Sequence, residues 1–458
     1  MGIYLGLGSN LGDRRSNLSR ALTQLKTKGL RVTRVSPVIE SAAQLPEKCP
    51  AEWDRPFLNL AAKCETEASP ETVRSWIKEI ERSLGRIDDL HWSPRPVDID
   101  ILLWGDAELS TKTLIVPHAH LRERDFVLTP LIALEPRLIA PGAAGASLLD
   151  WSRKLPTHIP LWMGILNVTP DSFSDGGQFL DWKHLKPHAI GMIDAGAHII
   201  DVGGESTRPR GEPVTAETEW ARVAPILERL IETRDRQPFG PLISIDTYRA
   251  TTARKALGLG VDMVNDVGGL GSEEMIELAG ESGVDFVAMH QLSLPVDPKI
   301  TLAQDVDPYA VLEQWLLARL ERWEKAGLDL NRIIFDPGIG FGKTAQQNRE
   351  LLSRAGEFRR HGLRVLIGHS RKSFLGDVVG DEMTAKDLAT AGLSLKLCQQ
   401  GVDILRVHNV PINVGVYRGW ALASAGRGQA PTARGTAGHA TKQGFENRAF
   451  LAQNTQAD

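Results

Sequence analysis

Residues 95–106, RPVDIDILLWGD, set two aspartates, Asp98 and Asp100, in the opposite phase to Val97, Ile99, Ile101 and Leu103. On a strand, side chains two apart share a face and stand roughly 6.5–7 Å apart. A lone DxD is more often a solvated strand face than a site. Here Trp92 and Arg95 precede the pair, and VPHAHLRERDF supplies His118, Arg122 and Arg124 soon after it. Paired carboxylates are hard oxygen ligands for Mg²⁺, which commonly arrives on substrate phosphates. Arginine and histidine then complement the remaining phosphate charge. Two metals that clamp one transfer reaction sit about 3.5–4 Å apart, a span that carboxylates leaning in from one face can bridge. The pattern points to nucleotide-dependent phosphoryl transfer.

A second set of chemistry-bearing residues lies in the C-terminal half. Asn167, Thr207, Arg208, Asp246, Asn265, Asp336, Lys372, Arg406 and His408 each follow or end an apolar run. Singly, each reads as a cap or loop hydrogen-bonder. Together, the carboxylates and an amide can read a polar heterocycle, while Arg208, Arg406 and His408 suit a diphosphate, and Lys372 could serve either half. Gly-rich turns such as DPGIGFGKT let backbone approach a ligand closely. GFGKT imitates the end of a P-loop, but Pro337 occupies the first required glycine position, so the motif fails. Gly6, Gly8 and Gly12 form GxGxxxG, which is not the dinucleotide fingerprint and reads as a turn lining a pocket.

The elements that must hold these residues fall into two rhythms. The first region reads strand (Ile3–Gly8), helix (about Ser16–Lys28), strand (Arg31–Ser41) and strand (Phe57–Thr66). A helix capped by Ser69 with Pro70 in its first turn follows, then the Asp-bearing strand. This predicts an α+β layer of helices on a mostly antiparallel sheet. Later come eight apolar runs ending in polar residues: LWMGILN, HIIDVGGEST, LISIDT, VDMVND, VDFVAMH, RIIFDPG, RVLIGHS and VDILRVH. Helix-like segments fill the gaps. Eight strand–helix units predict a (β/α)8 barrel, with functional groups at the C-terminal strand ends. A doubly wound open sheet is the alternative.

The domain reading is therefore 1–142 for the first unit, 143–158 for a linker, 159–422 for the barrel and 423–458 for a disordered tail rich in Ala, Gly, Thr and Gln. A net charge of −4 over 458 residues gives no general attraction to nucleic acid or anionic membrane. Cys49, Cys64 and Cys398 are widely spaced without a CxxC pattern, which suits a reducing compartment. With no signal-peptide pattern at the start and no apolar run of spanning length, the expectation is a cytoplasmic protein.

YLGLGSNLGDR, FLNLAAKCET, HWSPRPVDIDILLWGD and VPHAHLRERDFVLTPL together resemble 6-hydroxymethyl-7,8-dihydropterin pyrophosphokinase, across nearly all of residues 1–140. The resemblance implies a ferredoxin-like fold, with Asp98 and Asp100 binding two Mg²⁺. It also implies ATP contacts from Arg86, Trp92, Arg95, His118 and Arg124, a pterin edge read by Asn59, and a ring sandwich of Phe57 and Phe126. GILNVTPDSFSDGG, DVGGESTRP, SIDT, VNDV, DPGIGFGKT, GHSRKSFLG and LRVH, in that order over about residues 160–420, resemble dihydropteroate synthase. That resemblance implies a pterin held by Asp246, Asn265, Met289, Asp336 and Lys372. It implies Asn167 on a Mg²⁺-bound diphosphate, further held by Thr207, Arg406 and His408, and p-aminobenzoate flanked by Thr207, Arg208, Pro209 and Ser373. Asn409 stands where relatives usually carry Asp. The first unit would make the pterin diphosphate that the second consumes, and the barrel family commonly forms homodimers. Two rival readings remain: a pterin-binding methyltransferase barrel, which needs neither a diphosphate nor an aminobenzoate site, and a non-catalytic binding or scaffold protein in which one half has decayed.

Overall fold

The computed structural model describes residues 2–46, 48–87, 92–169, 182–205, 214–297 and 299–424. The chain begins β1 (Ile3–Ser9), α1 (Arg14–Thr27), β2 (Arg31–Val35), β3 (Ile39–Ser41), β4 (Phe57–Glu65), α2 (Pro70–Ser83) and β5 (Asp98–Trp104). It continues with β6 (Leu109–Ser110), β7 (Ile115–Val116), α3 (Asp125–Leu134) and α4 (Leu148–Ser152). One antiparallel sheet has the order β2-β4-β1-β5, with β3 also paired to β4, and β6-β7 is a separate ribbon. Leu18, Leu22 and Leu25 of α1 and Val73, Ile77 and Ile80 of α2 cover one sheet face. Leu128 and Leu131 of α3, with Leu148 and Trp151, cover the other. The α2 start is the one predicted: the Ser69 hydroxyl accepts from the Thr72 N–H, and Pro70 opens the helix.

Three local expectations change. The strand read from Arg31 to Ser41 is split at Ser36-Pro37. Pro37 has no N–H for a ladder, and the Ser36 hydroxyl takes the Ala61 N–H at 2.9 Å instead. In β5 the alternation holds for Val97, Ile99 and Ile101 but fails at Leu103. Tyr4 pairs with Leu103 and Leu5 with Ile101, so Leu102 is an extra residue, and Leu102 and Leu103 join the same core. The segment read as a linker is folded: Ser147 and Asp150 form a reciprocal capping box, and Leu148, Leu149 and Trp151 are buried against α3.

The second unit alternates β8 (Leu161–Asn167), α5 (Trp182–Ala195), β9 (Ile199–Gly203), α6 (Ala216–Asp235), β10 (Leu242–Asp246), α7 (Ala250–Leu259), β11 (Met263–Asp266) and α8 (Glu273–Ser282). Then come β12 (Asp285–Met289), α9 (Pro308–Lys325), β13 (Ile333–Asp336), α10 (Ala345–Ser353), β14 (Arg364–Ile367), α11 (Ser373–Val379), α12 (Met383–Gln399), β15 (Ile404–Val407) and α13 (Val410–Ser424). The eight strands close into a parallel barrel through β15 and β8, which removes the open-sheet alternative. The helix α13 runs to Ser424, past the expected tail boundary, and the rest of that tail lies outside the described residues.

Leu161, Met163, Ile199, Met263, Val287, Ile334, Leu366 and Ile404 form a floor near the N-terminal ends of the strands. Ile39, Phe126 and Ala133 of the first unit pack onto that floor, and Phe239 of the barrel enters the first unit's core. Glu135, the residue after α3, accepts from Arg332 at 2.9 Å and from Lys63 at 3.2 Å. Arg332 also faces Asp285 at 3.4 Å, and Arg418 meets Glu40 at 2.9 Å. The first unit is thus seated on the N-terminal rim of the barrel. No helix among the described residues is long and apolar enough to cross a membrane.

Candidate active sites

Strand register builds the first site. Across β4, β1 and β5, Asn59, Gly8 and Asp98 lie in one row, and Ala61, Gly6 and Asp100 in the next. Gly6 and Gly8 are therefore strand residues, not the expected turn; Gly12, at φ +67°, takes the turn. Their missing side chains leave room above the sheet. A Cβ on Gly8 would stand 3.2 Å from Asn59 Oδ1 and 3.4 Å from Phe57 Cδ1. The resulting cleft is lined by Phe57, Asn59, Trp92, Arg95, Asp98, Asp100, Arg124 and Phe126.

Charges in the cleft are paired unevenly. Asp98 meets Arg95 at 2.6 Å and also pairs with Arg86, which in turn pairs with the buried Glu81. Burial opposes its charge, but the two guanidinium groups outweigh that and hold Asp98 below the usual carboxylate range. Asp100 is pushed up to about 7, first by burial and then by the negative charges of Asp98 and Glu81. Arg95 is fixed through its backbone: Asn10 Oδ1 accepts its N–H at 2.8 Å, and Asn10 N–H donates to its carbonyl at 3.2 Å. Its guanidinium lies 5.3 Å from the Phe57 ring centre, and that of Arg124 lies 5.7 Å from Phe126. The two rings expected to sandwich a heterocycle thus face one cleft, each with a cation beside it. Arg86 and His118 stand behind this lining rather than in it. The His118 N–H donates to the Leu102 carbonyl at 3.0 Å, and burial, then Arg124, push its imidazole down to about 4.

The second site sits at the opposite end of the barrel floor, where Asn167, Asp246, Asn265, Met289, Asp336 and Arg406 occupy the last turns of six strands. Arg406 donates from Nε to Asp201 at 2.7 Å and from Nη2 to Asp246 at 2.6 Å, while Asn265 donates to Asp201 at 3.1 Å. Burial pushes Asp246 up to about 7; Arg406 opposes that shift and Asp201 reinforces it. Asp336 is also raised by burial, although the Gly338 N–H, 2.7 Å from its Oδ1, and nearby Lys372 favour its charge. The Lys372 ammonium is 4.5 Å from the Phe341 ring centre. His408 shares the Ser370 hydroxyl through its backbone N–H at 3.2 Å and its Nδ1 at 3.1 Å. Ser373 opens α11 and is exposed. Asn409 donates at 2.9 Å to Asp387, which also takes both arms of Arg371. An aspartate at 409 would face that carboxylate.

Thr207, Arg208 and Pro209, and the acidic stretch around Asp88, lie outside the described residues. Sequence reasoning missed Asp201, Glu81 and Lys343. Asp201 is a lone carboxylate between Ile200 and Val202, and Glu81 falls on the apolar face of α2 beside Ile77 and Ile80. Each breaks an apolar pattern, which was the available signal. Lys343 was hidden in the failed P-loop.

A carboxylate-and-arginine cleft between aromatic rings, carried on the base of a barrel with a polar ring of strand ends, defines a two-domain transferase of heterocycle chemistry. Residues 4–136 match the family described as 7,8-dihydro-6-hydroxymethylpterin-pyrophosphokinase, and residues 163–408 match the pterin binding enzymes. A folate synthesis bifunctional protein of Chlamydia muridarum is 39% identical over 436 residues, covering 90% of this chain and 96% of its own. A mitochondrial folate synthesis bifunctional protein of Arabidopsis thaliana is 35% identical, covering 90% and 81%. Among solved structures, a Clostridium difficile dihydropteroate synthase determined in the presence of pteroic acid is 38% identical, with TM-score 0.51 over 58% of this chain and 97% of its own. A Xanthomonas albilineans dihydropteroate synthase with 4-aminobenzoic acid is 34% identical, with TM-score 0.53 over 62% and 97%. The chain belongs to the family of bifunctional folate synthesis proteins. It is a bifunctional transferase that pyrophosphorylates 6-hydroxymethyl-7,8-dihydropterin from ATP and joins the product to p-aminobenzoate, giving 7,8-dihydropteroate and diphosphate.

Proposed function

We propose that the two clusters divide these steps residue by residue, residues 1–142 serving the kinase and 159–422 the synthase, with 143–158 as their folded connection and 423–458 as a tail. The observation that carries the kinase assignment is the shared cleft of Asp98, Asp100, Arg95, Phe57 and Phe126. Phe57 and Phe126 stack on the pterin, and Asn59, whose amide donates to Ser41 at 2.9 Å, reads its edge. Arg95 and Arg124, with Trp92, Arg86 and His118 around them, complement the ATP phosphates. Asp100 has raised proton affinity and, among the described residues, no hydrogen bond to its carboxylate, so a hard cation fits beside it and Asp98. Asp98 and Asp100 would hold Mg²⁺ there, and when bound it neutralises charge on the transferring phosphates.

In the barrel, Asp246, Asn265 and Met289 hold the pterin, with Asp336 and Lys372 at its reacting side. Diphosphate is a good leaving group, so Arg406, His408 and Thr207 need only stabilise its charge; Asn167 would hold a Mg²⁺, which would supply further charge neutralisation. Asp336 stabilises the cation left as the C–O bond breaks. The amine of p-aminobenzoate, flanked by Thr207, Arg208, Pro209 and Ser373, then attacks. Cys64 and Cys398 are buried and unpaired, and Cys49 is free, which supports a reducing cytoplasm. Exposed Val378, Met383 and Leu388 around α11 and α12 support a homodimer through the barrel.

A split assay tests the assignment. Purified protein given ATP, Mg²⁺, hydroxymethyldihydropterin and p-aminobenzoate should form AMP and dihydropteroate. Asp98→Ala or Asp100→Ala should abolish AMP formation while ready-made pterin diphosphate is still condensed. Loss of both steps in either variant contradicts two separate sites.

A further inference from the structure

The glycine-rich segment DPGIGFGKT contains a lysine that neither step uses. Lys343 is 6% exposed and lies in the loop after β13. Its Nζ is 2.8 Å from His290 Nδ1, 3.1 Å from His290 O, 2.9 Å from Gly338 O and 2.9 Å from Phe341 O. Three of these neighbours are carbonyl oxygens. The fourth is the Nδ1 of an imidazole held neutral, pushed down to about 3 by burial and by Lys343 itself, and in the tautomer that carries its proton on Nε2 this nitrogen accepts. Burial also lowers the pKa of Lys343, with Asp336 opposing. An ammonium's three N–H groups can be shared among these four acceptors, whereas a neutral amine would leave a lone pair facing them.

Two segments meet at that nitrogen. His290 follows β12, and its N–H donates to the Asp336 carbonyl at 2.8 Å. Gly338 and Phe341 belong to the loop after β13, where Gly338, Gly340 and Gly342 all have positive φ, of +66°, +82° and +71°. A Cβ on Gly338 would lie 1.9 Å from His290 O, so the two segments touch backbone to backbone. Within this loop, the Gly338 N–H meets Asp336 Oδ1, and the Phe341 ring carries the Lys372 ammonium.

We propose that Lys343 is a positioning residue for the synthase step: its ammonium ties the loop after β13 to the end of β12, setting Asp336 through the Gly338 and His290 backbones and Lys372 through the Phe341 ring. This rests on the assignment of Asp336 and Lys372 to the pterin subsite. A lysine buried only for its stem would be replaceable by methionine without kinetic effect.

The test uses the full chain, with ready-made pterin diphosphate and p-aminobenzoate for the synthase and ATP consumption for the kinase. Lys343→Met should lower synthase kcat about 100-fold and raise KM for the pterin diphosphate, as an ångström-scale misplacement does, with the kinase rate unchanged. Wild-type kcat and KM in this variant would overturn the proposal. A second pair holds if Lys343→Met fails to fold and loses both activities. His290→Leu, which removes one acceptor, should lose synthase kcat in the same direction, and His290→Asn, which returns an oxygen near the Nδ1 position, should recover most of it. Equal synthase kcat in wild type, His290→Leu and His290→Asn overturns the proposal. Full synthase activity in Asp336→Asn overturns the subsite assignment, and the proposal with it.

Discussion

Replacing Glu135 by alanine removes one of the short bonds between the two domains without touching either cleft. The Glu135 carboxylate is buried and takes Arg332 at 2.9 Å, Lys63 at 3.2 Å and the exposed Arg137 at 3.2 Å. After the substitution, Arg332 keeps, among the described residues, only Asp285 as an ionic partner, at 3.4 Å, and Asp285 is already engaged by Arg364 at 2.8 Å. Stranding one partner of a buried ion pair costs about 3–5 kcal/mol. The residual Asp285 contact, and the partial exposure of Lys63, reduce this to about 2–3 kcal/mol. At roughly 2–4 °C per kcal/mol for a unit of about 150 residues, the unfolding transition of the first domain should fall by roughly 5–10 °C. Differential scanning calorimetry of the full chain checks this, with both activities at 25 °C expected to stay at wild-type levels. The double variant Glu135→Ala/Arg332→Met removes the stranded charge and should recover more than half of the lost stability. A Glu135→Ala protein that melts within about 1 °C of wild type would refute the reasoning.

Two further predictions follow from the same geometry. Gly8→Ala places a methyl 3.2 Å from Asn59 Oδ1, so the kinase KM for pterin should rise by roughly tenfold or more, about 1.4 kcal/mol, with synthase kinetics unchanged; an unaltered KM counts against the cleft. His118, His158, His198 and His369 are pushed down to about 4 and His290 to about 3, chiefly by burial. Their ring resonances should not titrate between pH 8 and 5.5. Because the unfolded chain binds these protons first, their contribution to stability is present above about pH 6.5 and is lost as pH falls toward 4. Titration of any of the five near pH 6.5 in the folded protein would contradict the burial argument.

Periodicity carried most of the architecture. Eight apolar runs ending in polar residues became eight barrel strands, because a parallel strand buried on both faces must be apolar until it reaches the rim. The DxD pair was legible for the same reason: two carboxylates in one phase of an otherwise buried strand need cations opposite them, and Arg95 stands only three positions before Asp98. What stayed hidden depends on partners distant in sequence. The bulge at Leu102 is set by pairing with Tyr4 and Leu5, nearly a hundred positions away, and no local rule gives it. The packing of residues 143–158 against α3 followed from three large apolar side chains that a Gly- and Ala-rich neighbourhood disguised. Asp201 escaped because its partners, Arg406 and Asn265, come from other strands.

The seating of the first domain on the barrel's N-terminal rim sets where the two candidate clefts of one chain open. Phe126 lines the kinase cleft and also rests on the barrel floor, while Asp246, Asn265 and Asp336 open on the far rim. About 15 Å of packed barrel interior, the length of its strands, separates the two ends. On the proposed assignment, the two clefts of one chain therefore open at opposite ends of the barrel, and its packed interior offers no passage between them. What joining the domains secures is stoichiometry: each synthase domain is born with one kinase domain.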